Sequence, residues 1–89
     1  YMTWTINYSK DAKKFIDKQN VHNDVVEALK KLILKIQGNN VNIDLKKLYG
    51  DWDGYYRLRR GKLRIIIALN KSNRQVYVEK IDFRGDVYK

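Results

Sequence analysis

Eighty-nine residues suffice for one domain and leave no room for a second independent core. A hydrophobic share of 44%, the absence of cysteine and the lack of any apolar run near roughly 20 residues exclude disorder, disulfides, thiolate chemistry and a membrane-spanning helix. A formal charge of +9 and a pI near 9.8 create a field that draws in polyanions and raises their encounter rate.

No signal-peptide pattern opens the chain, so cytoplasm is the expected compartment. Tyr1 precedes Met2, so Met2 is expected to be the native start and Tyr1 an added residue. Met2, Trp4, Ile6 and Tyr8 alternate with Thr3, Thr5 and Asn7, the period of a half-buried first strand. Ser9 stands where a helix N-cap belongs, and Asp11 falls in the first turn, where the helix dipole favours a carboxylate. Ala12, Phe15 and Ile16 then predict a short helix ending near Asn20. A second helix carries Val25, Val26, Leu29, Leu32, Ile33 and Ile36 at three-and-four spacing, with Lys30, Lys31 and Lys35 on its wet face and a stop at Gly38. From Asn39 to Gly54 no period is readable; Ile43, Leu45, Leu48 and Trp52 are expected to pin this stretch to the core.

Three strands follow. In Tyr55 to Arg60, Tyr56 and Leu58 alternate against Tyr55, Arg57 and Arg59. Gly61 permits a tight hairpin into the β-branched run Leu63 to Leu69, and Asn70 to Asn73 turns into Gln75 to Phe83. The last strand breaks phase between Val78 and Ile81. One extra residue near Glu79–Lys80, a β-bulge, restores Val76, Val78, Ile81 and Phe83 to one side. The expected fold is α+β: two N-terminal helices packed on a twisted antiparallel sheet of about four strands, in the order β-α-α-β-β-β, as a single domain over residues 1–89.

Most catalytic chemistries lack their parts. His22, the sole histidine, sits at a helix start and reads as a surface or capping residue. Without cysteine or paired histidines, zinc has no ligand set, and Ser9 and Ser72 have no neighbouring histidine. Asp51 with Asp53, and Asp82 with Asp86 around Arg84, could serve as acid and base or hold magnesium, but neither pair has further acidic or amide ligands close in sequence, and neither role is expected. The basic sheet remains. Between Lys46 and Arg64 stand Lys46, Lys47, Arg57, Arg59, Arg60, Lys62 and Arg64 against Asp51 and Asp53 alone. Strand alternation sends Arg57 and Arg59 out with Tyr55, and places Arg64 beside Ile66 and Ala68. Past the last strand, Arg84 and Tyr88 lie four residues apart, a phosphate-pinning fork and a ring able to stack or exchange a proton.

With these residues in place, the sequence resembles the RelE/ParE toxin superfamily. Three features carry the likeness: Tyr56-Arg57-Leu58-Arg59-Arg60-Gly61-Lys62-Leu63-Arg64 with its apolar continuation, the terminal Arg84-Gly85-Asp86-Val87-Tyr88, and the strand–helix–helix order before them. The resemblance implies a toxin of a type II toxin–antitoxin system that cleaves mRNA in the ribosomal A site, without metal or other cofactor. It assigns catalytic roles to Arg64, Arg84 and Tyr88, and phosphate binding to Arg57 and Arg59, with Arg60, Lys62, Lys46 and Lys47 adding to the basic surface. Relatives often have a histidine where this chain has Phe83, and RelE itself has lysines in place of Arg57 and Arg59, so the general base stays open. An acidic, partly disordered antitoxin is the implied partner, with no membrane involved. The alternative within the superfamily is a ParE-like inhibitor of DNA gyrase without nuclease activity.

Overall fold

The computed structural model describes residues 4–83. A first strand, β1 (Thr5–Tyr8), is followed by helices α1 (Lys10–Gln19) and α2 (His22–Ile36). Then come β2 (Asp44–Lys47), a single 3₁₀ turn (Gly50–Trp52), and the meander β3 (Tyr55–Arg60), β4 (Leu63–Asn70) and β5 (Gln75–Phe83). Ser9 caps α1 as its position requires: its Oγ accepts the Ala12 N–H at 3.1 Å and donates to the Glu79 carbonyl at 2.6 Å. One hydroxyl thus starts the helix and ties it to β5. Asn20 closes α1 in the left-handed region (φ 55°), which its short polar side chain tolerates. His22 is the exposed first residue of α2. That helix buries Val25, Ala28, Leu29, Leu32 and Ile33, and stops where Gly38 takes φ 95° and Asn39 caps the Leu34 carbonyl with its backbone and side-chain N–H groups.

The sheet has five strands in the order β1-β5-β4-β3-β2, and it is mixed. β1 runs parallel to β5, while every other pair is antiparallel. The expectation of about four antiparallel strands is corrected on both counts. β2 escapes a reading by period because it is four residues long with one apolar side chain: Leu45 stands opposite Leu58 and packs on the core. β1 joins the far side of the last strand because the chain crosses over through both helices before the meander begins. Trp52 also departs from expectation. It is 40% exposed and meets the Tyr55 ring edge-on at 5.3 Å instead of entering the core.

The bulge falls where the phase of β5 demands it. Ile66 pairs with Lys80 and Ile67 with Val78, leaving Glu79 as the extra residue. Val76, Val78 and Ile81 are therefore all buried, and Phe83 packs beside them against Phe15. They join Leu58, Leu63, Ile65 and Ile67 beneath the two helices in one apolar cluster. Both helices lie on this side; the other broad face carries no helix among the described residues, and the 3₁₀ turn brings Trp52 against Tyr55 at its end.

Candidate functional site

Strand alternation and the bulge sort the polar side chains of this second face into rows. Across β2, β3, β4 and β5 the first row reads Asp44, Arg59, Arg64, Asp82. The second reads Lys46, Arg57, Ile66, Lys80, and the third places Tyr55, Ala68 and Tyr77 in line with Asn7 of β1. Arg59 and Arg64 stand directly opposite each other on hydrogen-bonded strands, an arrangement that like charges disfavour.

Two carboxylates hold the opposed cations in place. Asp82 takes Arg64 in a two-pronged bond, Nε to Oδ1 at 2.9 Å and Nη2 to Oδ2 at 2.7 Å, with both side chains only 21% exposed. Such paired charge-assisted bonds fix the plane of the guanidinium as well as its position. On the other flank, Asp44 sits 3.3 Å from Arg57 Nη2 and 3.9 Å from Arg59 Nη1. Asp44 itself is largely in solvent, and its hold is correspondingly weak. The Nε atoms of Arg57 and Arg59 are buried with no hydrogen-bond partner among the described residues. An unsatisfied buried donor is costly, and both lie on the strand that carries the opposed arginine.

One row further along, Tyr55 donates from its hydroxyl to Glu79 Oε1 at 3.4 Å. Glu79 is on β5 and Tyr55 on β3, so the ring spans the intervening Ala68, whose methyl group leaves room beneath it. The Glu79 carboxylate raises the Tyr55 phenol above its ordinary pKa of 10.0, with desolvation, the hydrogen bond and Tyr77 adding in the same direction. Burial alone raises Tyr8, which packs against the core.

The cations expected from the sequence do not all share this face. Arg57, Arg59, Arg64 and Lys46 converge on it. Arg60 lies on the helix side, 3.8 Å from Glu27 of α2, and lines a cavity of about 320 Å³ with Ala28, Lys31 and Leu58, which Asp44 and Arg59 also border at the sheet edge. Lys47 stands opposite Tyr56 at the edge strand, and Lys62 occupies the exposed hairpin turn. Arg84 and Tyr88 lie outside the described residues. Asp82 joins this face as well: the bulge returns it to the same side as Arg64, and the two bind each other. Asp44, Glu79 and Trp52 were not among the candidate residues. Asp44 alternates with Leu45 and Lys46, a signal too short to read without its partner strand.

Chemically, the face gathers several guanidinium groups, of which Arg64 is fixed in plane by Asp82 and Arg57 and Arg59 are held more loosely by Asp44. Fixed guanidinium groups of this kind bind phosphate through paired donors and stabilise negative charge that grows during a reaction.

No protein-family model matches the chain, and no curated protein matches it in sequence. Solved structures do share its fold. A chain of the archaeal RelE–RelB complex from Pyrococcus horikoshii superposes with a TM-score of 0.70 at 24% identity, covering 94% of this chain and 98% of that one. A chain of the RelBE2 toxin–antitoxin complex from Mycobacterium tuberculosis gives 0.68 at 20% identity, over 93% and 100% of the two chains. A chain of the E. coli DinJ–YafQ toxin–antitoxin complex gives 0.66 at 17% identity, over 99% and 100%. Two helices on a five-stranded mixed sheet, with the arginine-bearing β3–β4 hairpin at its centre, are thus the RelE-like toxin fold.

Proposed function

We propose that this chain is the toxin of a type II toxin–antitoxin system and cleaves mRNA in the ribosomal A site. The observation that carries the reading is the convergence of Arg57, Arg59 and Arg64 on the sheet face opposite the helices, with Arg59 and Arg64 directly opposed. Asp82 and Asp44 offset part of the repulsion within this pair, and a bound phosphodiester beside the two groups would offset more of it.

In the proposed reaction the ribose 2′-oxygen attacks the adjacent phosphorus and the bond from phosphorus to the 5′-oxygen breaks. The products are a 2′,3′-cyclic phosphate and a free 5′-hydroxyl. One proton leaves the 2′-hydroxyl and another reaches the departing 5′-oxygen. Arg64 and Arg84 stabilise the charge that develops on the phosphorane, and Arg57 and Arg59 hold the flanking phosphates. Tyr88 orients the nucleophile or takes part in proton transfer. Because good bases at neutral pH are scarce here, the ribosome supplies the orientation of the 2′-hydroxyl, and free RNA is a poor substrate.

An acidic, partly disordered antitoxin is the proposed partner. Two of the structural neighbours are chains of complexes with RelB and one of a complex with DinJ, and a charge of +9 suits an acidic segment laid over the basic face. Primer extension on translating ribosomes tests the nuclease reading. Wild-type protein should give cuts in the A-site codon that vanish with Arg84→Ala and weaken with Arg64→Ala. Intact mRNA with wild-type protein would end the proposal, and inhibition of supercoiling in a parallel gyrase assay would replace it with the gyrase-binding alternative.

A further inference from the structure

Tyr49, Trp52 and Tyr77 are the large apolar side chains left exposed among the described residues; Trp52 touches the Tyr55 ring and lines a cleft with Asp11, Phe15, Glu79 and Lys80, and Tyr77 stands in the Tyr55 row beyond Ala68. Tyr55 lies across Ala68 toward Glu79, so its ring forms a floor on the sheet; Trp52 meets it edge-on at 89°, forming a wall. Tyr77, 39% exposed, borders the floor from β5. This corner is one row, or about 6.8 Å along the strands, from Arg57, a step that a single nucleotide spans. In that row Lys46 is next to Arg57, and Lys80 lies beyond Ile66 at the other end.

We propose that Trp52, Tyr55 and Tyr77 form a stacking subsite for one nucleobase of a single-stranded RNA whose phosphates lie on the neighbouring arginine and lysine rows. The inference rests on the function proposed above and adds to it a base-binding element. Every base has a π-face, so a floor and wall of aromatic rings beside fixed cations suits a single strand with little regard for sequence. The cationic rows favour a polyanion over an apolar protein segment as the occupant. Glu79 keeps the Tyr55 ring down on the sheet, and the edge-on contact keeps Trp52 upright.

The test is binding of a short oligoribonucleotide carrying one 2-aminopurine to the full chain at low salt, with affinity and base-stacking quench both recorded. Trp52→Ala and Tyr55→Leu should each lose the quench and bind about tenfold more weakly. Tyr55→Phe, which keeps the ring, should restore most of what Tyr55→Leu loses. An abasic oligomer should bind wild type and Trp52→Ala equally. Arg57→Ala should weaken binding and flatten its salt dependence while keeping the quench at saturation. If Trp52→Ala and Tyr55→Leu match wild type and Arg57→Ala does not, the stacking subsite is wrong and the arginine reading stands. If Arg57→Ala also matches wild type, both fall. If Trp52→Ala impairs capture by an acidic partner protein but leaves RNA binding intact, the corner is a protein surface and the proposal is overturned. Circular dichroism of Trp52→Ala, whose ring is 40% exposed, checks that the fold is retained and keeps the comparison interpretable.

Discussion

Asp82 grips Arg64 through two hydrogen bonds of 2.9 and 2.7 Å, directly across the β4–β5 ladder, while Arg59 faces Arg64 from the other side. The carboxylate therefore does two things: it fixes a guanidinium plane and offsets a like-charge pair. Asp82→Ala removes both effects and should cost about 1–2 kcal/mol, below the range for a fully buried pair because each side chain keeps some solvent contact. Denaturant unfolding of Asp82→Ala, Arg64→Ala and the double variant measures it. The double variant should recover part of the loss, since removing Arg64 also removes the repulsion; strictly additive effects would show that the pair is not coupled.

Asp44 should behave differently. It is 55% exposed on an edge strand and holds Arg57 and Arg59 at 3.3 and 3.9 Å. Asp44→Asn is expected to change stability by no more than about 0.5 kcal/mol. It should tighten RNA binding at low salt, because the two guanidinium groups lose a competing anion, and the gain should shrink as salt rises. Fluorescence anisotropy at two ionic strengths checks this. Unchanged affinity would mean that Asp44 does not compete with phosphate.

Much of this arrangement was readable from the sequence because strand alternation is a rigid rule. Tyr55, Arg57 and Arg59 could be sent to one face and Tyr56 and Leu58 to the other before any coordinates, and the broken phase of Val76, Val78 and Ile81 required the bulge. Hidden from the sequence was everything that depends on which strands are neighbours. The row Asp44–Arg59–Arg64–Asp82 brings together four strands, and no local pattern announces it. Arg60 shows the same limit: charge density along the chain groups it with Arg59, yet consecutive strand residues point to opposite faces, and Arg60 meets Glu27. Trp52 looked like core material by its size alone, but the 3₁₀ turn that carries it leaves it at the surface.

That division gives a kinetic prediction. Arg57→Ala, Arg59→Ala and Arg64→Ala should each reduce ribosome-dependent cleavage, with Arg64→Ala losing on the order of 10²–10³ in rate if it stabilises the phosphorane. Arg60→Ala, on the helix side, should lose far less. Single-turnover cleavage with saturating toxin separates the chemical step from binding. An equal loss at Arg60 and Arg64 would contradict the assignment of the reaction to the face opposite the helices.

Tyr55 supplies a pH signature. The negative charge of Glu79 disfavours the phenolate, so the folded protein holds the Tyr55 proton above 10.0, where an unfolded chain has begun to release it. The interaction thus supports the fold fully below pH 10 and is lost as the pH rises through the folded value. A tyrosinate absorbance titration, taken as the difference between wild type and Tyr55→Phe, isolates this group. Glu79→Gln should move its midpoint back down toward 10, because the first cause of the shift has gone while burial remains. A midpoint that Glu79→Gln leaves in place would assign the shift to desolvation and Tyr77.

The bulge permits a sharper test of how β5 is built. Glu79 is the one residue of β5 without its own partner in the β4 register. Deleting it brings Lys80 directly after Val78, and simple alternation then keeps Val78, Ile81 and Phe83 on the core side and Asp82 on the side of Arg64. The shortened strand should therefore fold. Ser9 must find a different carbonyl and Tyr55 loses its carboxylate, so the Tyr55 titration should fall as in Glu79→Gln. Inserting an alanine after Ile81 does the opposite: it turns Phe83 away from Phe15 and Asp82 away from Arg64. Circular dichroism and denaturant unfolding should show the deletion close to wild type and the insertion strongly destabilised. The reverse order would mean that the bulge, and not the alternation it corrects, is what β5 requires.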